Sequence, residues 1–281
     1  MYSNINRRQY LKDLATVAVG FSIAGPLMSM QQPQKGKTIQ VITKTKRTRE
    51  EIDIALKEIK PVSYQPESNR WQNLPITCKA LQKTAGELKI VMLGDSILND
   101  TFRSNWFSFV QKAYPDCKIS AVAVVANGGG CWWFKEEGRI NQSVVPEAPD
   151  LLIIGGISQK DDMESIKEVI KQVRSVKNCD VLLMTKSFGL TEKGNPHGGN
   201  PFDPEQWSYD IPQKSTDYRK RLFDLSLETK SGFLDMTAHW GRYIRQSEQP
   251  VEWYKRDPIH ANERGEQVIG QILASHFLPV K

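Results

Sequence analysis

The chain has 281 residues, of which 39% are hydrophobic and 25% charged, with a net charge of +6. That is enough apolar material for a sizeable core. The bases are interspersed with acids except in the run Lys44–Arg49, so the clustered basic face that would bind a nucleic acid is not expected. Four cysteines (Cys78, Cys117, Cys131, Cys179) lie far apart, without a Cys-x-x-Cys pair or a histidine at ligand spacing. A zinc site is therefore not expected, nor any other metal or cofactor, and buried free thiols are.

In chain order, residues 1–32 read as an export signal. Arg7, Arg8 and Lys12 precede an apolar stretch broken by Gly20, Gly25 and Pro26. The Arg-Arg pair before Tyr10-Leu11-Lys12 resembles a twin-arginine signal, which implies a periplasmic or extracellular protein with no stable membrane insertion once the signal is removed. Residues 33–86 read as an N-terminal extension: a loose polar opening, a helix over Arg49–Lys60 ended by Pro61, and a loop around Trp71.

From Glu87 onward strands and helices alternate. Strands are expected at 87–93, 118–126, 150–156, 180–186 and 232–237. Helices are expected at 105–114, 162–176, 215–229, near 239–246, and at 262–277. The helix at 162–176 carries Ile166, Val169, Ile170 and Val173 at spacings of three and four. The strands are nearly continuous apolar runs, as in a parallel sheet covered on both faces, so residues 87–281 are predicted to be one α/β domain. Ligands of such sheets bind beyond the carboxyl ends of the strands. The unusual chemistry collects there: Gly94-Asp95-Ser96, Asn127-Gly128-Gly129-Gly130, Gly155–Asp162, the stretch of about 25 residues Phe188–Pro212, and Arg256–Gly265. A structureless loop beyond about 12–15 residues is uncommon unless functional or disordered. Phe188–Pro212 is expected to form a wall or lid, with His197, Trp207 and Tyr209 as contacts. His197, despite its place in that stretch, and His239 read more readily as ordinary surface or core residues, and His276 is expected on a helix surface.

Ser96 stands where a strand passes into a helix, a position offering free N–H groups for an oxyanion, but its hydroxyl needs a base. Asp257, three residues before His260, is spaced to hold one imidazole nitrogen while the other faces Ser96. Gly94-Asp95-Ser96-Ile97 resembles the nucleophile block of the GDSL, or SGNH, hydrolases. Asp257-Pro258-Ile259-His260 resembles their late Asp-x-x-His block. The resemblance covers roughly residues 87–280, with the blocks in the family's order. It implies a flavodoxin-like three-layer α/β/α sandwich around a five-stranded parallel sheet. It also implies a serine esterase with Ser96 as nucleophile, His260 as base and then acid, and Asp257 as its orienting partner.

The resemblance further implies an oxyanion hole made of the Ser96 N–H, a glycine N–H (Gly129, with Gly130 next) and an asparagine side chain from a third block. The chain departs from the family there, reading Gly156-Ile157-Ser158-Gln159. Ser158 falls where the asparagine should be, and Gln159 is the other candidate donor. Asp95, Trp132, Trp133 and Trp207 are expected to meet the substrate. An exported esterase removing acyl groups, acetyl above all, from a polysaccharide or glycan is the reading these features imply. A lipase or short-chain esterase, a non-catalytic glycan-binding protein and an acyl transferase are the rivals.

Overall fold

The computed structural model describes residues 37–136, 138–187 and 217–279, all within one unit running from Lys37 to Lys281. The expected export signal, and Trp207 with the rest of the expected lid, lie outside the described residues.

Six described strands share one sheet: β1 (Gln40–Ile42), β2 (Gly86–Gly94), β3 (Cys117–Val125), β4 (Leu151–Ile154), β5 (Asp180–Met184) and β6 (Gly232–Leu234). Their order is β1-β3-β2-β4-β5-β6. β2 to β6 are parallel, which makes the five-stranded core expected from the sequence. β1 adds a sixth strand, antiparallel to β3, and it comes from the extension. Side chains alternate across the sheet because the strand period is two. In β2, Leu88, Ile90 and Met92 enter one core cluster, while Val91 and Leu93 enter the other. β4 divides the same way, Leu151 and Ile153 against Leu152 and Ile154.

Helices cover both faces, giving three layers. The first cluster is closed by α2 (Pro75–Gln82), α3 (Ser96–Arg103), α4 (Phe107–Ala113), α9 (Met236–Ser247) and α10 (Glu263–Phe277). The second is closed by α5 (Cys131–Phe134), α6 (Arg139–Ser143), α7 (Met163–Val176) and α8 (Tyr218–Glu228). Ile166, Val169, Ile170 and Val173 of α7 are all buried in it, which is the stripe read from their spacing. Asp235 caps α9 by accepting from Ala238 N–H, and this ends β6 after three residues, short of the expected 232–237.

The extension is bound into this unit. Thr48 and Glu51 form a capping box that starts α1 (Arg49–Glu58). Arg47 makes a two-point contact with Glu266 of α10, at 2.8 and 3.1 Å, and Glu266 is wholly buried. Arg70 donates to the carbonyls of His276 and Leu278, and Tyr243 to that of Lys60. The boundary expected at 86–87 is therefore a change in sequence character inside one packed unit. All four cysteines are free thiols; Cys117, Cys131 and Cys179 are buried and Cys78 half-buried. No described helix is long and apolar enough to cross a membrane.

Candidate active site

The first site element is the passage from β2 to α3. Gly94 ends the strand where any side chain would collide with the Gly155 carbonyl, 2.5 Å from an added Cβ. Asp95 then caps α3, its Oδ1 accepting from Ile97 N–H at 2.9 Å. Its Oδ2 accepts from the N–H groups of Ile157 and Ser158, at 2.8 and 2.6 Å. Gly156, at φ +94°, leaves room for that carboxylate, which would lie 2.5 Å from an added Cβ. Asp95 is 1% exposed and fully engaged. It joins the first block to the third and has no face for a substrate, contrary to the expectation.

Ser96 opens α3 and follows this cap directly. Its Oγ lies 2.9 Å from His260 Nε2. His260 Nδ1 lies 3.0 and 2.8 Å from the two carboxylate oxygens of Asp257. The spacing of three arises because the Asp257 carboxylate also folds its own loop, accepting from the N–H groups of Ile259 and His260 at 2.9 and 2.8 Å. Desolvation pushes the Asp257 carboxyl up. Those N–H groups and the adjoining imidazole outweigh it and hold the carboxyl at about 2. The structure thus brings Ser96, His260 and Asp257 into one hydrogen-bonded chain. Such a chain is suited to draw a proton from an alcohol while the carboxylate fixes the imidazole tautomer.

The loop carrying His260 is held from beneath. Asp100, one turn after Ser96 on α3, is 1% exposed and accepts from Ala261 N–H at 3.1 Å and from the Arg256 guanidinium at 3.0 Å. Arg256 in turn donates to the Ala261 carbonyl at 2.6 Å. No motif assigns either residue this role, although the i, i+4 spacing puts Ser96 and Asp100 on one face of the helix. Lys255, almost fully buried, is pushed down to about 8 by desolvation, against the opposing pull of Asp100 and Asp257.

The second and third blocks meet beside the serine. Gly129 donates its N–H to the Ala126 carbonyl at 2.8 Å, so it is engaged in a turn and is not the free donor expected. The N–H groups of Gly130 and Ser96 have no acceptor among the described residues. Gly130 packs so closely on the third block that an added Cβ would lie 2.2 Å from the Ser158 carbonyl oxygen. Gln159 is 2% exposed; its Oε1 accepts from Cys131 N–H at 2.9 Å and its Nε2 donates to the Gly155 carbonyl at 2.7 Å. That amide is a strut between blocks, which removes Gln159 as a replacement for the asparagine and leaves the half-exposed Ser158.

The two neighbouring tryptophans differ. Trp133 is 9% exposed, packs edge-on against Phe134 and carries Arg139 at 4.1 Å. It is a core residue, and the expectation that it meets substrate fails because α5 turns it inward. Trp132 is half-exposed and donates its Nε1–H to the Ser158 carbonyl at 2.7 Å. Two cavities, of about 430 and 460 Å³, lie against the extension around Tyr64; neither is lined by Ser96 or His260. Among the described residues no group of three or more His, Cys, Asp or Glu side chains is placed to hold a metal ion.

In three dimensions the chain is similar to Axe2, an acetylxylan esterase from Geobacillus stearothermophilus. The TM-score is 0.52 at 16% identity, covering 71% of this chain and 100% of that one. It is also similar to a two-domain esterase, CEX, active on acetylated mannans, with a TM-score of 0.52 at 14% identity. That match covers 74% of this chain and 52% of that one. At such identities the likeness is one of fold. No protein-family model matches the sequence, and no curated protein matches it significantly.

Proposed function

We propose that the protein is a serine esterase that removes acyl groups, acetyl above all, from a carbohydrate. The observation that carries this reading is the chain Ser96 Oγ to His260 Nε2 at 2.9 Å, with both Asp257 oxygens on the other imidazole nitrogen. The carbohydrate part draws support from the fold shared with esterases whose names specify acetylxylan and acetylated mannans.

In the proposed reaction Ser96 Oγ bonds to the ester carbonyl carbon as its proton passes to His260 Nε2. The oxyanion is met by the N–H groups of Ser96 and Gly130, with the Ser158 hydroxyl as third donor. The carbon–oxygen bond to the sugar then breaks, and His260 returns its proton to the departing sugar oxygen. A water molecule attacks the acyl-serine, giving a proton to His260. Collapse of the second tetrahedral intermediate frees the carboxylic acid and restores the serine hydroxyl. Asp257 keeps the imidazole in the tautomer with Nδ1 protonated and offsets the imidazolium charge.

Export before this reaction is part of the reading and rests on residues 1–32 alone. Sequencing the amino terminus of protein recovered from the cell exterior tests it. The activity is tested by incubating wild type and Ser96→Ala with acetylated polysaccharides and with 4-nitrophenyl acetate, and measuring released acetate. Release by wild type and a loss of at least about a thousandfold in the variant is the expected result. Equal release by both proteins would remove Ser96 as the nucleophile, and glycan binding with no turnover of any ester, unaffected by Ser96→Ala, would favour a non-catalytic role.

A further inference from the structure

Two ammonium groups converge on one indole at the edge of the site. Lys160 Nζ lies 3.5 Å from the Trp132 ring centroid and Lys37 Nζ 4.3 Å from it. Trp132 is itself tied to the Ser158 carbonyl, and Ser158 N–H to Asp95, the residue before the proposed nucleophile. Lys37 is further fixed by donating to the Gly128 carbonyl at 2.5 Å. Neither lysine has an ion-pair partner among the described residues. Of the acids that follow Lys160, Asp161 pairs through Oδ2 with Arg221 at 2.5 Å while its Oδ1 is buried without a hydrogen-bond partner, and Asp162 accepts from the N–H and hydroxyl of Ser165. Burial and the repulsion of Lys160 both disfavour the charge on Lys37.

The backbone that presents Lys160 is itself unusual. Lys160 and Asp161 are successive non-glycine residues at φ +53° and +55°. Such a conformation is costly and persists where surrounding contacts over-determine it, which is commonest at functional sites. Here the contacts are the Asp161–Arg221 pair and the bond from the Arg221 guanidinium to the Asp161 carbonyl. A strained turn therefore holds a positive charge where it repels a second one, and neither is paired with an acid among the described residues. An aromatic face offsets a little of that repulsion. A bound anion would remove it.

We propose that Lys37 and Lys160, over Trp132, form a subsite for a carboxylate of the substrate, so that the glycan taken is a uronic-acid-bearing polysaccharide rather than a neutral one. This rests on the esterase reading for its place in a reaction, while its binding part is testable alone. The subsite would orient the polymer through a charge on a sugar next to the acylated one, leaving the chemistry to Ser96.

The test is affinity electrophoresis of the full chain in gels containing polygalacturonate or a neutral mannan, at low and high salt. Proteins compared are wild type, Lys37→Gln/Lys160→Gln, and a charge-matched control, Lys118→Gln/Lys171→Gln, whose side chains are exposed elsewhere. Wild type and control should be retarded by polygalacturonate alone. The Lys37/Lys160 variant should bind about fivefold more weakly, and salt should abolish the difference. Equal binding by all three proteins, or an equal loss in the control, overturns the proposal. Acetate release from acetylated pectin and acetylated mannan is followed in parallel. Lysine-dependent retention without any ester turnover would remove the esterase reading and keep the subsite. Turnover with the same pectin-to-mannan ratio in wild type and variant would do the reverse.

Discussion

The carboxylate of Asp100 accepts the backbone N–H of Ala261 at 3.1 Å, so the helix that begins with Ser96 also holds the residue next to His260. Ser96 and His260 are 164 positions apart, yet one turn of α3 fixes the distance between them. Asp100→Asn keeps the shape but removes the charge that Arg256 and Arg103 now meet at 3.0 and 3.4 Å, leaving them Glu266 at 3.7 Å each. The expected cost is about 1–3 kcal/mol in stability. The expected kinetic signature is a drop of roughly tenfold or more in kcat for 4-nitrophenyl acetate with KM little changed, as for a misplaced catalytic group. A destabilised variant with unchanged kcat would reduce Asp100 to a purely structural residue.

Asp257→Asn should lower kcat by about 10²–10⁴ by allowing the wrong imidazole tautomer. It should also change the response to acid. The carboxyl is held at about 2 in the fold, against about 3.9 in an unfolded chain. Its folded pKa is depressed, so its contribution is fully present above about pH 4 and is lost as pH falls toward 2. Urea melts at pH 5 and pH 2.5 would read this: the gap between wild type and variant should narrow at the lower pH. A gap that stays constant would show that the carboxylate interactions add nothing to the fold.

Lys255 predicts a second rise of stability with pH, in the alkaline range. Burial lowers it to about 8, against an ordinary value near 10.4. Between those values the unfolded chain binds more protons than the folded one, so stability from this group rises with pH across that window. Lys255→Met should flatten the rise. It should also stabilise the protein at pH 7, where the ammonium is still buried at a cost. Thermal melts from pH 7 to 10 check both, and a variant less stable than wild type throughout would mean that the Lys255 contact to the Ile259 carbonyl outweighs the burial.

Gln159→Leu removes the strut between blocks and leaves Cys131 N–H and the Gly155 carbonyl without partners. The expected cost is about 1–3 kcal/mol for each group left unsatisfied. Activity should fall as well, since the strut holds the third block, including Ser158, against the second at Gly130 and Cys131. Gln159→Glu restores only the acceptor half of that bridge and should recover part of the stability. Full activity and unchanged melting in Gln159→Leu would show that the bond from Trp132 to the Ser158 carbonyl and the packing of Gly130 suffice to hold the two blocks.

The parallel sheet was legible because β2 to β5 are apolar enough to be buried on both faces, and Ser96 and Asp257–His260 could be placed beyond strand ends for that reason. Strand β1 was not legible. Gln40–Ile42 is three residues long and has no periodicity; its strand character comes from pairing with Ala123–Val125, about eighty positions away. Helix α2 has a local signal, Pro75 at its first turn, although the polar residues before it read as a loop. Trp132 and Trp133 are adjacent on a single helical turn, so one points out and the other in, and no local pattern says which. Asp95 and Gln159 are polar residues whose partners are backbone groups of distant loops, and such partners leave no trace in a sequence window.

β1 also bears on how the amino terminus can be trimmed. β3 is nine residues long, and β1 covers the upper part of what would otherwise be its open border. A protease cutting beyond Gln40 would bare unpaired amides along a sticky hydrophobic ribbon, an invitation to dimers and fibrils. Any trimming that preserves a usable molecule must therefore stop upstream of that short segment, and shortened versions made for crystallisation should begin no later than Lys37.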